Sequence, residues 1–114
     1  MTATNQNVEV YQGDSHLIKV IVLDYENGMN RLPLHDTEVT WHLYREPYHA
    51  QIIEKTETEG ITILDASEGT LVVKVSSDDT QNLKPGMTYT HALKVRDREG
   101  QVTTVLTGSF IVKN

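Results

Sequence analysis

Apolar and polar positions alternate with a period of two over most of this chain, most clearly in its last third. Residues 84–112 read KPGMTYTHALKVRDREGQVTTVLTGSFIV. In the first run Met87, Tyr89, Leu93 and Val95 share one parity, and Thr88, Thr90, Lys94 and Arg96 take the other. In the second run Val102, Leu106, Phe110 and Val112 share a parity, with Gly108 interrupting it. Alternation on both sides of a short Gly-containing turn predicts an antiparallel hairpin. Both runs exceed an average strand, so the hairpin is expected to be the central pair of a sheet. Gly108 is expected to mark a bulge.

The earlier chain repeats this logic in shorter units. Val8, Val10 and Tyr11 predict a first strand closed by Gln12-Gly13-Asp14. His16 to Leu23 carries Ile18, Val20 and Val22 on one face and Leu17, Ile21 and Leu23 on the other. A strand apolar on both faces is expected either at the centre of a sandwich or under a partner. Asp24 to Gly28 (DYENG) predicts a tight turn, because Asn-Gly supplies positive φ. Met29 to Thr37 reads as a connection, and Glu38 to Tyr44 as a strand with Val39, Trp41 and Leu43 inward. Pro47 excludes Arg45 to Ala50 (REPYHA) from a central ladder, and Gln51 to Lys55 resumes as an edge strand. Ile61 to Leu64 and Thr70 to Val75 predict a second hairpin. Ser76 to Leu83 opens with an N-cap residue and early acids, which predicts one helical turn.

Composition narrows the function classes. The 114 residues suit one domain with one core. No apolar run approaches the roughly 18 residues of a membrane helix, and MTATNQNVEV lacks the basic-then-apolar pattern of a secretory signal. Cysteine is absent, so disulfides and thiolate sites are excluded. A formal charge of −6 with scattered Lys and Arg argues against nucleic acid as a partner. Residues 1–6 are polar and read as a flexible N-terminal arm, leaving 7–114 as the single folded domain.

Candidate chemistry is sparse. The five histidines form no i, i+2 or i, i+4 chelating pair, so no metal site is expected. The acids Glu57, Glu59, Glu68, Asp78 and Asp79 fall in turns without the ligand spacing of a Ca²⁺ loop. No glycine-rich phosphate loop and no nucleophile elbow occur, so neither a catalytic site nor a cofactor is expected. His91 is placed inward between Tyr89 and Leu93, where a buried imidazole beside an interface would make assembly pH-sensitive. Tyr44, Arg45, Tyr48 and His49, around the REPYHA loop, combine aromatic and Arg side chains of the kind that anchor interfaces, and form the candidate interface.

Turn signals every 8 to 12 residues favour a sandwich, and the single Trp on the third long strand suits an immunoglobulin-like one. The chain also resembles a known group in the order of its turns. VEVYQGDSHLIKVIVLDYENG and the segment from GITILDASEG through LKPGMTYTHALKVRDREG to VTTVLTGSFIV are similar to immunoglobulin-like bacteriophage virion proteins. These include domains like the N-terminal part of baseplate upper proteins. Arg45 to Lys55 aligns least. The resemblance implies an all-β, immunoglobulin-like antiparallel sandwich of about seven strands with one short helical turn. It also implies a non-enzymatic decoration or adaptor component of a head, neck, tail or baseplate. The partners would be other virion subunits in a homo-oligomer on the particle, with no nucleic acid and no membrane, and the location would be the virion. The alternative is a β-sandwich that recognises a receptor or carbohydrate on a phage or bacterial surface.

Overall fold

The computed structural model describes residues 4–24, 28 and 30–114. Among them the chain runs β1 (Thr4–Asn5), β2 (Val8–Tyr11), β3 (His16–Ile21), β4 (Leu23–Asp24), β5 (Asn30–Arg31) and β6 (Glu38–Arg45). It continues through β7 (Ala50–Thr56), β8 (Ile61–Asp65), β9 (Thr70–Val75), α1 (Ser77–Gln81), β10 (Tyr89–Arg96) and β11 (Val102–Lys113). The larger sheet has the order β1-β11-β10-β6-β7, with β2 continuing β1 along the same edge of β11. The smaller sheet is β3-β9-β8, and β4 pairs with β5 separately. The two sheets close face to face as the expected immunoglobulin-like β-sandwich.

Alternation produces the core directly. Val39, Trp41 and Leu43 from β6 meet Tyr89, Leu93 and Val95 from β10 and Leu106, Phe110 and Val112 from β11. The smaller sheet supplies Ile18, Val20, Leu71, Val73, Val75 and Ile61. The terminal hairpin is central as anticipated, since β10 lies between β11 and β6. The single helical turn also forms where its sequence predicts. Ser76 accepts from the Asp79 amide, and the Asp79 carboxylate accepts from the Ser76 amide, a reciprocal capping box. Lys55 reaches the same carboxylate at 2.7 Å and ties β7 to the helix. For the DYENG turn, Asp24 pairs with Asn30 across it, while residues 25–27 and 29 lie outside the described set.

Two expectations need correction. The first is that Gly108 marks a bulge. The irregularity of the hairpin falls instead between Leu93 and Lys94, where Val105 is the extra, buried residue of β11. An extra residue inverts the parity beyond it. Val102 therefore pairs with Arg96 and faces outward, 52% exposed, rather than joining the core.

The second is the arm boundary. The arm was placed at 1–6, yet Thr4–Asn5 run parallel to β11 opposite Leu106 and Thr107, and the Gln6 amide donates to the Thr107 carbonyl. Polarity hid this, because an edge strand held by its backbone needs no apolar alternation. Gly108 itself has a steric role. A methyl group there would overlap the Gln6 carbonyl and press on His91. β3, apolar on both faces, is an edge strand of the smaller sheet, which of its two expected settings leaves cover by a partner.

Gly108→Ala should therefore push residues 4–7 off β11 without disturbing the backbone of β10. The expected cost is about 1–3 kcal/mol, the usual range for overpacking, read from the shift of the urea unfolding midpoint. An unchanged midpoint would contradict this account of Gly108.

Candidate functional site

The outward positions of the larger sheet line up in cross-strand rows. Gln51, Tyr44, Thr90 and Ser109 form one row; Glu54, His42, Ala92 and Thr107 form the next, continued by Asn5. Residues directly opposite in a ladder share a face, so this surface is fixed by register. At its centre the small side chain of Ala92 leaves a hollow of about 500 Å³. One wall is Tyr44, Glu46, His49 and Thr90. The other is Asn5, Asn7, Thr107 and Ser109.

The first wall is pre-ordered. Tyr44 is only 8% exposed although it points outward. The His49 ring lies on it with centroids 3.9 Å apart and planes 14° from parallel, and His42 flanks it at 5.9 Å. His49 adopts φ 54°, the left-handed region that lets the turn after the cis Glu46-Pro47 bond fold its ring back onto Tyr44. One Glu46 oxygen accepts from His49 Nδ1 at 2.9 Å and from the Thr90 hydroxyl at 2.9 Å. These bonds, His49 first, hold the Glu46 carboxyl below its ordinary range.

The second wall is the arm. Asn7 accepts from the Ser109 amide at 3.0 Å, and the Gln6 side chain donates to the Lys19 carbonyl at 3.2 Å, spanning from one sheet to the other.

Beneath the hollow lies His91, 1% exposed. The Trp41 indole N–H donates to its Nδ1 at 3.0 Å, and its Nε2 lies 2.7 Å from the Gln6 carbonyl oxygen. Indole only donates and a carbonyl only accepts. The ring is therefore the neutral tautomer with the proton on Nε2. Burial holds its pKa below the ordinary histidine value.

Of the four candidate interface residues, Tyr44 and His49 come together as the stacked pair. Tyr48 stands at the tip of the 46–49 turn, 91% exposed. Arg45 takes the opposite parity from Tyr44 and leaves the patch. It borders a separate hollow of about 300 Å³ with Ile52, Ile53, Leu83 and Tyr89, its guanidinium 4.0 Å from Met87 Sδ. Sequence reasoning missed Glu46, Thr90 and Ser109. Thr90 was legible, since pairing Tyr44 with the outward positions of β10 puts it alongside. Asn5 and Asn7 were not, because nothing in the arm announces its docking.

A second surface has different character. On the outer face of the smaller sheet Leu17 and Ile21 are 63% and 41% exposed, with Val72 half-buried beside them and Leu64 exposed on β8. Lys19 and Lys74 stand among them. Among the described residues β3 has no strand on its outer side, so part of its backbone edge is open.

No family model matches the chain, and no curated protein matches it. Among solved structures, the major subunit of the type I aggregative adherence fimbriae of Escherichia coli is similar to it. The identity is 18%, over 99% of this chain and 92% of that one, with a TM-score of 0.31. A likeness at that level carries no functional argument.

His49→Ala should raise the Glu46 pKa towards the ordinary 4.5, since it deletes the largest cause of the depression. A carboxyl depressed in the folded state contributes stability above its unfolded value and loses it as pH falls through the folded one. The variant should therefore lose the larger part of this acid-sensitive contribution, the Thr90 bond keeping the rest. A side-chain carboxyl titration by NMR checks it, and an unmoved Glu46 would refute the assignment.

Proposed function

We propose that the chain is a non-enzymatic assembly module, a subunit that packs into a larger particle through the smaller sheet. The observation that carries the reading is the open β3 edge bearing Leu17 and Ile21. Proteins usually blunt such edges. Here one lysine stands between two exposed aliphatic side chains. Apolar residues ringed by Lys19 and Lys74, in a chain of net charge −6, suit a partner that presents an apolar strip bordered by carboxylates. The turn pattern of the sequence favours a bacteriophage virion as the particle, with this chain as a decoration or adaptor protein of head, neck, tail or baseplate. Its partners are then other virion subunits, including copies of itself.

The test is the oligomeric state by light scattering, together with co-sedimentation with phage particles. The wild-type chain should form a discrete oligomer or sediment with virions. The Leu17→Lys/Ile21→Lys double variant, folded by circular dichroism, should do neither. A wild-type monomer that does not associate with virions overturns the reading.

A second reading is favoured by the hollow on the other sheet. Side-chain amides, hydroxyls, one carboxylate and the exposed face of His49 are the groups that hold a neutral saccharide. In that case titration with oligosaccharides should shift the backbone amide signals of Thr90, Thr107 and Ser109, and His49→Ala should abolish the shifts. Signals that stay fixed at millimolar saccharide exclude it.

A further inference from the structure

The relay Trp41–His91–Gln6 joins β6, β10 and the arm through one buried imidazole. We propose that His91 is an acid-released latch: in its neutral form it holds residues 4–7 on the edge of β11, and protonation lifts that stretch away.

The geometry makes the ring intolerant of a second proton. An imidazolium carries N–H on both nitrogens, so Nδ1–H would be driven against the Trp41 N–H, two donors 3.0 Å apart. The charge would also sit in a site 1% exposed among Trp41, Phe110 and the aliphatic core, with no anion to pair it. Among the described residues, the elements packed on the ring bring no carboxylate to it. β6 contributes Trp41, β11 contributes Phe110 and Gly108, and the arm contributes a carbonyl; the facing side chains of β3 and β9 are Ile18, Val20, Leu71 and Val73. Glu46, His49 and Lys94 lie across the hollow on the outer face. Glu9, paired with Lys113 at 3.0 Å, lies further along β2.

The route to water is set by Gly108. It stands directly opposite His91 in the ladder and has no side chain, and the Gln6 carbonyl occupies the space a side chain would fill, so the Gln6 backbone caps the ring. Moving the charged ring outward therefore displaces Gln6, and with it the Gln6 amide bond to Thr107 and the Asn7 bond to Ser109. The displacement ends at β2, whose Val8 and Val10 are buried in the core and whose backbone pairs with Phe110 to Lys113, and residues 12–14 anchor that strand in turn. Gln12 donates to the Gln81 and Leu83 carbonyls, the Gly13 amide donates to the Thr80 hydroxyl, and that hydroxyl donates to the Asp14 carbonyl. Release is thus confined to the arm while the sandwich stays closed.

The direction follows from linkage. The released state leaves the histidine near its ordinary value of about 6.5, and the latched state binds the proton more weakly. The released population therefore rises as pH falls below about 6.5, by up to about tenfold per unit, until the latched ring also titrates.

Amide hydrogen exchange at pH 7 and pH 4.5, corrected for intrinsic rates, reads this out. Protection of the Gln6 and Ser109 amides should fall tenfold or more in acid, while the Val22 and Lys74 amides, which serve the smaller sheet, keep theirs. The indole N–H signal of Trp41, the only Trp, should shift over the same pH range. His91→Gln can accept from Trp41 and donate to Gln6 but cannot titrate, so its arm should stay protected at both pH values. Equal arm protection at the two pH values in the wild type overturns the proposal. So does simultaneous loss throughout both sheets. Acid release that persists in His91→Gln would assign the trigger to Glu9 or Glu46 instead. Should that variant not fold, the wild-type coincidence of the His91 ring titration with arm release decides.

Discussion

One buried imidazole sets the terms for half of this structure. A polar ring in a core costs free energy unless both of its nitrogens are satisfied. Here they are satisfied by groups from two different places, the indole of the larger sheet and a main-chain carbonyl of the arm. The second partner can reach the ring only because residue 108 has no side chain. Trp41, His91, Gly108 and Gln6 therefore form a single constraint, in which each residue is explicable only through the others. That constraint settles the path of the first strands, and the path of the arm in turn builds one wall of the hollow.

The fold was largely legible because period-two alternation is a direct record of which face is buried. Trp41, Leu71, Val73 and Phe110 all fall where parity puts them, and the capping box at Ser76 and Asp79 fixes the one helical turn. Parity fails wherever a residue is inserted. Val102 was assigned to the core by counting from Phe110, and the extra residue at Val105 carries it to the surface. The site was legible in proportion to how far it depends on register. Tyr44 and His49 were picked for their chemistry, but their stacking depends on the backbone of His49, and the departure of Arg45 follows from strand parity. The arm was opaque for a different reason. Its docking rests on main-chain bonds and on a glycine at the far end of the sequence, and neither leaves a local pattern.

The two surfaces lie on opposite faces of the sandwich and differ in kind. One is polar and concave, with its aromatic rings engaged by one another. The other is apolar, flat and open along an edge. A subunit using the small sheet for assembly would present the concave face to solvent, so the structural and recognition readings are compatible within one molecule.

The lysines of the small sheet also act at a distance. Most carboxylates of this acidic chain lie in turns and on other elements, whereas Lys19 and Lys74 stand on the outer face of the smaller sheet with Asp65 at its margin. Locally, these two lysines favour approach of that sheet to a negatively charged surface, which gives the encounter a heading. The heading is set only within the last screening length, about 8 Å at physiological salt. Added salt would therefore slow productive encounter well before it loosened an interface already made.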